Sequence, residues 1–257
     1  MNKCLVKVVI PVYSNKFSEL EKRSLYQAYT VLNQHPVVMV KPESLDLSFL
    51  KADYPNLQFE SFSDYYFKDI HGYNRLMLSP EFYSRFLDTE YILIHQLDAY
   101  VFRDELTDWC SRGYDFIGAP WLNNPVNNLP VFSTIHQLEF RYAKFRHKKN
   151  RHSLYNKVGN GGLSLRKVDS FMIATVTHLS KITYYLDQKP SHLYNEDVFW
   201  ATEMYKFKYP DTMEALHFSF DTCPENSFRL IGGQLPFGCH GWYKRKMKRF
   251  WKPIIGF

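Results

Sequence analysis

Apolar residues in this chain come in short runs separated by polar, turn-rich stretches, and the runs alternate between two periods. Leu5-Val6-Lys7-Val8-Val9-Ile10-Pro11-Val12 is a nearly continuous apolar run ended by proline, the pattern of a strand buried on both faces. Phe17, Leu20, Ala28, Val31 and Leu32 then recur at near-helical spacing and predict a first helix. Val37–Val40 predicts a second strand, stopped by Pro42, and Leu57–Phe62 a third. A helix is predicted within Tyr73–Leu87, with Ser79-Pro80 marking a break or a fresh start. Tyr91–Ile94 and Asp115–Ala119 read as further buried strands. This alternation predicts an α/β domain with a mostly parallel central sheet flanked by helices. Ligands of such sheets bind at the carboxyl ends of the strands. No repeat, low-complexity tract or Pro/Gly/Ser linker divides the chain, so residues 1–242 are expected to form one domain, with 243–257 as a tail.

Charge gives that tail its character. Lys244, Arg245, Lys246, Lys248, Arg249 and Lys252 lie in a segment without an acidic residue; without them the remaining 26 Lys and Arg balance the 26 Asp and Glu. The whole excess of +6 therefore resides there, interleaved with Met247, Phe250, Trp251, Ile254, Ile255 and Phe257. The basic run Arg146–His152 reads as a solvated loop. A neutral body without a nucleic-acid motif argues against nucleic acid as partner. Aromatic residues make up 18% of the chain, more than a core needs, and rings are good walls for a sugar or base pocket. Cys4, Cys110, Cys223 and Cys239 have no C-x-x-C spacing and read as free thiols of a reducing compartment. The first apolar run is too short for a signal peptide, and no stretch approaches the ~20 apolar residues of a membrane span. A cytoplasmic location is the expectation.

The segment Tyr91–Leu106 carries the most chemistry. A buried strand delivers Asp98 at its carboxyl end, where a carboxylate could hold a divalent cation against a diphosphate. This segment resembles the DxD region of GT-A glycosyltransferases, in which an acid follows about six positions after the metal-binding aspartate. Asp104 supplies that spacing for Asp98, which puts Gln96 at the first position, where the family has an acid. A register shifted by two would instead make Asp98 the first acid and Tyr100 the second position. The resemblance implies donor contacts from Gln96, Leu97 and Asp98, and a Mn2+ or Mg2+ cofactor.

Four further segments continue the likeness. Pro11-Val12-Tyr13-Ser14-Asn15 resembles the nucleotide-contacting loop after strand one, so Pro11, Val12, Tyr13 and Asn15 are implied donor contacts, with Tyr13 stacking on the base. Gly72-Tyr73-Asn74-Arg75-Leu76 resembles a segment whose arginine approaches the donor, a task suited to the guanidinium fork. Gly159-Asn160-Gly161-Gly162-Leu163-Ser164-Leu165-Arg166 resembles the segment bordering the sugar pocket; Asn160, Gly161 and Gly162 are its donor contacts, and Arg166 is an ion-pair partner. Asn195-Glu196-Asp197-Val198 resembles the E-D-V motif of inverting transferases, which makes Asp197 the general base and Glu196 an acceptor-binding or orienting acid. His240, between glycines late in the chain, takes the place of the C-terminal histidine that such enzymes often add to the metal.

Taken in order, these runs resemble a bacterial family of GT-A glycosyltransferases over roughly residues 5–242. The resemblance implies an inverting hexosyltransferase that uses a nucleoside-diphosphate sugar, UDP-sugar favoured. A saccharide acceptor, lipid-linked and destined for surface polysaccharide, follows from the same likeness. The basic-aromatic tail would rest on the anionic inner face of the cytoplasmic membrane. A retaining transferase on the same fold, or a nucleotide-sugar-binding protein without activity, is the alternative.

Overall fold

A computed structural model describes residues 3–123, 149–189 and 191–257; Arg146, His147 and Lys148 of the basic run lie outside them. The first strand, β1 (Cys4–Pro11), is followed by helix α1 (Glu19–Val31), β2 (Val37–Pro42) and β3 (Gln58–Phe62). Helices α2 (Ile70–Met77) and α3 (Pro80–Ser84) lead into β4 (Thr89–His95). The break at Ser79-Pro80 has a local cause: the Ser79 side chain accepts from the Phe82 amide while Pro80 opens the new helix. Helix α2 begins three residues before Tyr73 because Asp69 caps it, accepting from the Gly72 amide at 2.7 Å.

The short strand β5 (Ala99–Val101), α4 (Leu106–Ser111) and β6 (Phe116–Gly118) come next, then β7 (Leu163–Lys167) and α5 (Val168–Thr177). After α6 (Leu179–Leu186) and α7 (Glu196–Glu203), the chain forms α8 (Thr212–Phe218), β8 (Ser219–Phe220) and α9 (Pro224–Leu230). Strand β9 (Gly238–His240) and α10 (Lys248–Trp251) complete the order. Among the described residues no helix is long and apolar enough to cross a membrane.

Six strands form the main sheet in the order β3-β2-β1-β4-β7-β6. β1 to β4 are mutually parallel where they pair, as expected; β7 runs antiparallel to both of its neighbours, β4 and β6. That reversal has a functional consequence. It pairs His95 at the carboxyl end of β4 with Leu163 at the start of β7, so the Asn160–Gly162 loop arrives at the edge where ligands of such sheets bind. One face of the sheet packs Val8, Ile10 and Leu93 against Leu25 and Ala28 of α1 and Trp109 of α4. The other packs Val9, Ile92 and Ile94 against Leu76 of α2, Phe82 of α3, Phe171 of α5 and Trp200 of α7.

A second sheet, unanticipated from the pattern, has the order β5-β9-β8. Ala99 pairs with His240 in it, and the Gly241 amide donates to the Asp98 carbonyl at 2.8 Å, so His240 is delivered beside Asp98. Residues 243–257 are packed onto this sheet. Trp251 is fully buried, 5.5 Å from the Phe102 ring in a stacked arrangement, and Phe257 meets Trp242 edge-on at 4.6 Å. Arg23 of α1 donates to the carbonyls of Ile255 and Gly256. The expectation of a tail offering its Trp and Phe rings to lipid is corrected accordingly: Trp251 is part of a core, and Phe250 and Phe257 are half-buried against it.

Candidate active site

A cavity of about 490 Å3 opens where β1 and β4 end. Pro11 and Tyr13 line it, with Gln96, Leu97 and Asp98 and with Asn160, Gly161 and Gly162. The start of α7 contributes Asn195, Glu196 and Asp197; β9 and the turn after it contribute His240 and Lys244. Chain segments more than two hundred residues apart thus converge on one space.

Three of the implied contacts lie elsewhere. The Val12 side chain is turned into the core with Val8 and Ile10, because successive strand residues point to opposite faces and Tyr13 takes the outward position. Asn15 is exposed beyond the cavity. Arg75 points away along α2, its Nη2 3.3 Å from His71 Nε2. Its neighbours Tyr73 and Asn74 face the site instead, since adjacent helical residues diverge by about 100°. Asn74 is a connector: its amide nitrogen donates to Asn195 Oδ1 at 3.2 Å, and its oxygen accepts from the Glu196 backbone amide at 3.1 Å. Asp104, whose spacing set the register, does not reach the cavity; it lies 3.1 Å from His35 Nε2 and accepts from the Leu106 amide.

Asp98 sits between two cationic partners. Its Oδ1 is 3.0 Å from His240 Nε2 and its Oδ2 is 2.9 Å from Lys244 Nζ. Burial works against its charge, but His240 and Lys244 hold the carboxyl well below the usual carboxylate range. His240 is caught from both sides, with Asp221 Oδ1 3.1 Å from Nδ1. Burial would lower its pKa; the Asp98 and Asp221 carboxylates outweigh this and raise it. Gln96 Oε1 also approaches His240 Nε2, at 3.2 Å, while its amide nitrogen donates to the Tyr73 hydroxyl at 3.3 Å.

This donor set bears on the expected metal. Among the described residues no group of three or more His, Cys, Asp or Glu side chains is arranged to hold an ion. Asp98, Gln96 and His240 nevertheless offer a carboxylate oxygen, an amide oxygen and an imidazole nitrogen with 3.0–3.2 Å between atoms facing one another. Adjacent ligands of an octahedral ion at ~2.1 Å are separated by about 3 Å, so the two spacings at His240 Nε2 are compatible with a divalent ion. Asp221 on the far ring nitrogen is the orienting carboxylate that metal-binding histidines usually carry. Binding an ion requires His240 to release its Nε2 proton.

The glycines are dictated by crowding. A Cβ on Gly162 would run into the His240 ring, and one on Gly161 would lie 2.5 Å from Glu196 Oε1. Asn160 closes the loop on itself, Oδ1 accepting from the Gly162 amide at 3.0 Å. Behind it lies a buried ion pair: Arg166 Nη2 is 3.0 Å from Glu196 Oε1, both side chains almost wholly out of solvent. Arg166 also donates to Ser164 Oγ and the Tyr83 hydroxyl, each at 3.1 Å. Glu196 Oε2 is buried without a partner in the wall of the cavity.

Asp197 differs from its neighbour. It accepts from the Val198 amide at 2.8 Å in the first turn of α7, and the Arg166 charge, already paired with Glu196, acts on it only weakly. Burial, and then the negative charge of Glu196, raises its pKa to about 7. Asn74, Asp221 and Lys244 were missed as site residues by sequence reasoning. Only Lys244 carried a signal there, and it was read as surface charge.

The fold and the family can now be placed. The structure resembles that of the galactosyltransferase LgtC in complex with donor and acceptor sugar analogues, with a TM-score of 0.55, 12% identity, and coverage of 97% of this chain and 95% of that one. It also resembles apo mouse xyloside xylosyltransferase 1, with a TM-score of 0.56, 13% identity and coverage of 93% and 97%. The glycosyltransferase GlyE of Streptococcus pneumoniae TIGR4 matches all of this chain and 61% of its own at a TM-score of 0.52 and 10% identity. The architecture is therefore the GT-A glycosyltransferase fold. A search of curated proteins gives no sequence match. A family model covers residues 56–240, most of the chain and all of the site except the β1 loop and Lys244, and this protein belongs to that family, the proteins of unknown function DUF5672.

Proposed function

We propose that this protein is an inverting glycosyltransferase that moves a sugar from a nucleoside diphosphate to a saccharide hydroxyl. The observation that carries the reading is the polarity of one cavity. Asp98, His240 and Lys244, tied to one another by short contacts, share its lining with Asp197, a carboxyl poised near neutrality. Lys244 would leave Asp98 for a phosphate oxygen of the donor, keeping a cation on the leaving diphosphate. A divalent ion held by Asp98 and His240, with Gln96 beside them, would neutralise the rest of that charge.

Tyr13, 46% exposed at the rim and edge-on to Tyr73 at 6.1 Å, offers its face to a base; UDP-sugars are the first donors to test. Glu196 Oε2 and the Asn160 side chain would accept from hydroxyls of the transferred sugar. Asp197 takes the proton of the acceptor hydroxyl as that oxygen bonds to the anomeric carbon. The bond from that carbon to the diphosphate breaks on the opposite face, and the nucleoside diphosphate leaves with its electron pair. A hexose is the sugar expected from the family resemblance.

Calorimetry with a panel of nucleotide sugars, with and without Mn2+, tests this. We expect binding by at least one UDP-sugar, weakened about tenfold or more by Asp98→Ala, because Lys244 and His240 then lose the group that positions them. Absence of binding and turnover with every donor would overturn the reading. NMR of the product decides the stereochemistry: a retained anomer removes Asp197 from the role of base.

The acceptor's setting belongs to the same proposal. Arg245, Lys246, Lys248, Arg249 and Lys252 are exposed, so attachment to an anionic bilayer would be electrostatic, at ~1 kcal/mol per cation near the surface. A lipid-linked saccharide of surface polysaccharide on the inner face of the cytoplasmic membrane is the acceptor this favours. Deleting the segment would strip Trp251 from the core, so substitution is the sound test. Changing those five residues to Gln should release the protein from phosphatidylglycerol vesicles and leave donor binding intact; unaltered vesicle binding would refute the attachment.

A further inference from the structure

A second cavity, of about 350 Å3, adjoins the first, and Asn195 and Asp197 line both. Trp121, Leu154, Tyr155, His192, Asp221 and Thr222 are among the residues that line it. Trp121 is firmly seated. Its amide donates to the Lys157 carbonyl at 3.0 Å, its carbonyl accepts from the Asn156 amide at 2.8 Å, and its ring lies so close over Gly159 that a Cβ there would collide with it. No Lys or Arg is among the described residues that line the space, whereas two carboxylates, Asp197 and Asp221, are. A rigid aromatic face together with oxygen acceptors suits a pyranose, whose C–H face is apolar and whose hydroxyls donate.

We infer that this second cavity is the acceptor subsite, and that it takes the uncharged terminal pyranose of the acceptor, stacked on Trp121 with one hydroxyl directed at Asp197. The inference rests on the transferase reading above and goes further in excluding acceptor termini that carry a carboxylate or phosphate. Such a group would be brought against Asp221 and Asp197, and among the described lining residues His192 is the one side chain that could meet it with a positive charge. Asp221 ties the two halves together: the carboxylate that edges this cavity is the one that orients His240 beside the donor.

Intrinsic fluorescence reads the site directly, because Trp109, Trp200, Trp242 and Trp251 are at most 2% exposed and Trp121 is the partly exposed indole. With UDP present, methyl glucoside or methyl galactoside should change the emission saturably at millimolar concentrations. Methyl glucuronide should bind about tenfold or more weakly, as one like-charge contact at low dielectric demands. Trp121→Phe should abolish the signal. Thr222→Phe, which fills the cavity and keeps Trp121, should abolish it too, and neither change should alter nucleotide-sugar affinity measured by calorimetry. A silent response to neutral glycosides, a full response in Thr222→Phe, or equal binding of the glucuronide would overturn the assignment. If nucleotide sugars bind and glycosides do not, the subsite alone fails. If glycosides bind at Trp121 and no nucleotide sugar binds, the subsite stands and the transferase reading fails.

Discussion

Asp197→Asn should lose transfer activity by a factor of ~10^2–10^4, the contribution of a positioned base, and yet unfold at a higher temperature than the wild type above neutral pH. The two effects share a cause. Burial and the Glu196 charge raise the Asp197 pKa from 3.8 to about 7, so the folded state prefers the carboxyl protonated. That preference contributes stability in full below pH ~4; it is lost as pH rises from there through about 7, where the folded carboxyl finally ionises. An uncharged amide escapes the loss. Three pKa units correspond to ~4 kcal/mol, but the carboxyl opens on a solvent-filled cavity, so about 1–3 kcal/mol is the expected gain at pH 8. Denaturant unfolding at pH 4 and pH 8 measures it: the variant's advantage should be small at the lower pH and grow steadily to its full size at the higher. In the wild type kcat/KM should fall as pH drops below about 7, with the protonation of the same group. A flat profile through that range would remove the base assignment.

Arg166→Leu carries the largest expected cost to the fold, about 3–5 kcal/mol, because it leaves the buried Glu196 carboxyl without its cation. The site permits little repair. Arg166 is fully buried among Tyr83, Ser164 and the rings of Phe116 and Phe171, and none of these can supply a charge. Adding Glu196→Gln to Arg166→Leu should recover a large part of the loss, and the non-additivity of the pair measures their coupling. If Arg166→Leu costs less than about 1 kcal/mol in urea unfolding, the pair does not support the site as described.

Local chemistry made much of this legible in the sequence. Continuous apolar runs ended by proline located β1 and β2, and Ser79-Pro80 located the start of α3, because each signal acts within a few residues. The second sheet was opaque. Its strands are two or three residues long, too short for any period to show, and β5 joins β9 across more than a hundred residues. β7 was equally hidden, since Ser164, Arg166 and Lys167 break its five residues into no apolar run.

In the site, resemblance found the segments and stereochemistry redistributed the residues within them. Gly72–Leu76 does border the cavity, but through Tyr73 and Asn74, because Arg75 leaves the helix in another direction. Pro11–Asn15 contributes Pro11 and Tyr13, with Val12 turned inward by strand alternation. Lys244 looked like one surface cation among six; its contact with Asp98 depends on the turn at Gly241, where φ is +65°. Asp221 follows a two-residue strand and has no motif around it.

The lateness of β9 in the chain has a consequence for the order of events during synthesis. Every strand of the main sheet has been made once residue 167 is present, so the sheet and both of its packed faces can begin to assemble early. His240 and Lys244 come more than seventy residues later and enter only when β9 pairs with β5. A nascent chain can therefore possess a folded scaffold while holding Asp98 without either of its cations. Under the proposed function donor binding would mature last, and a bound nucleotide would report that the final strand has docked.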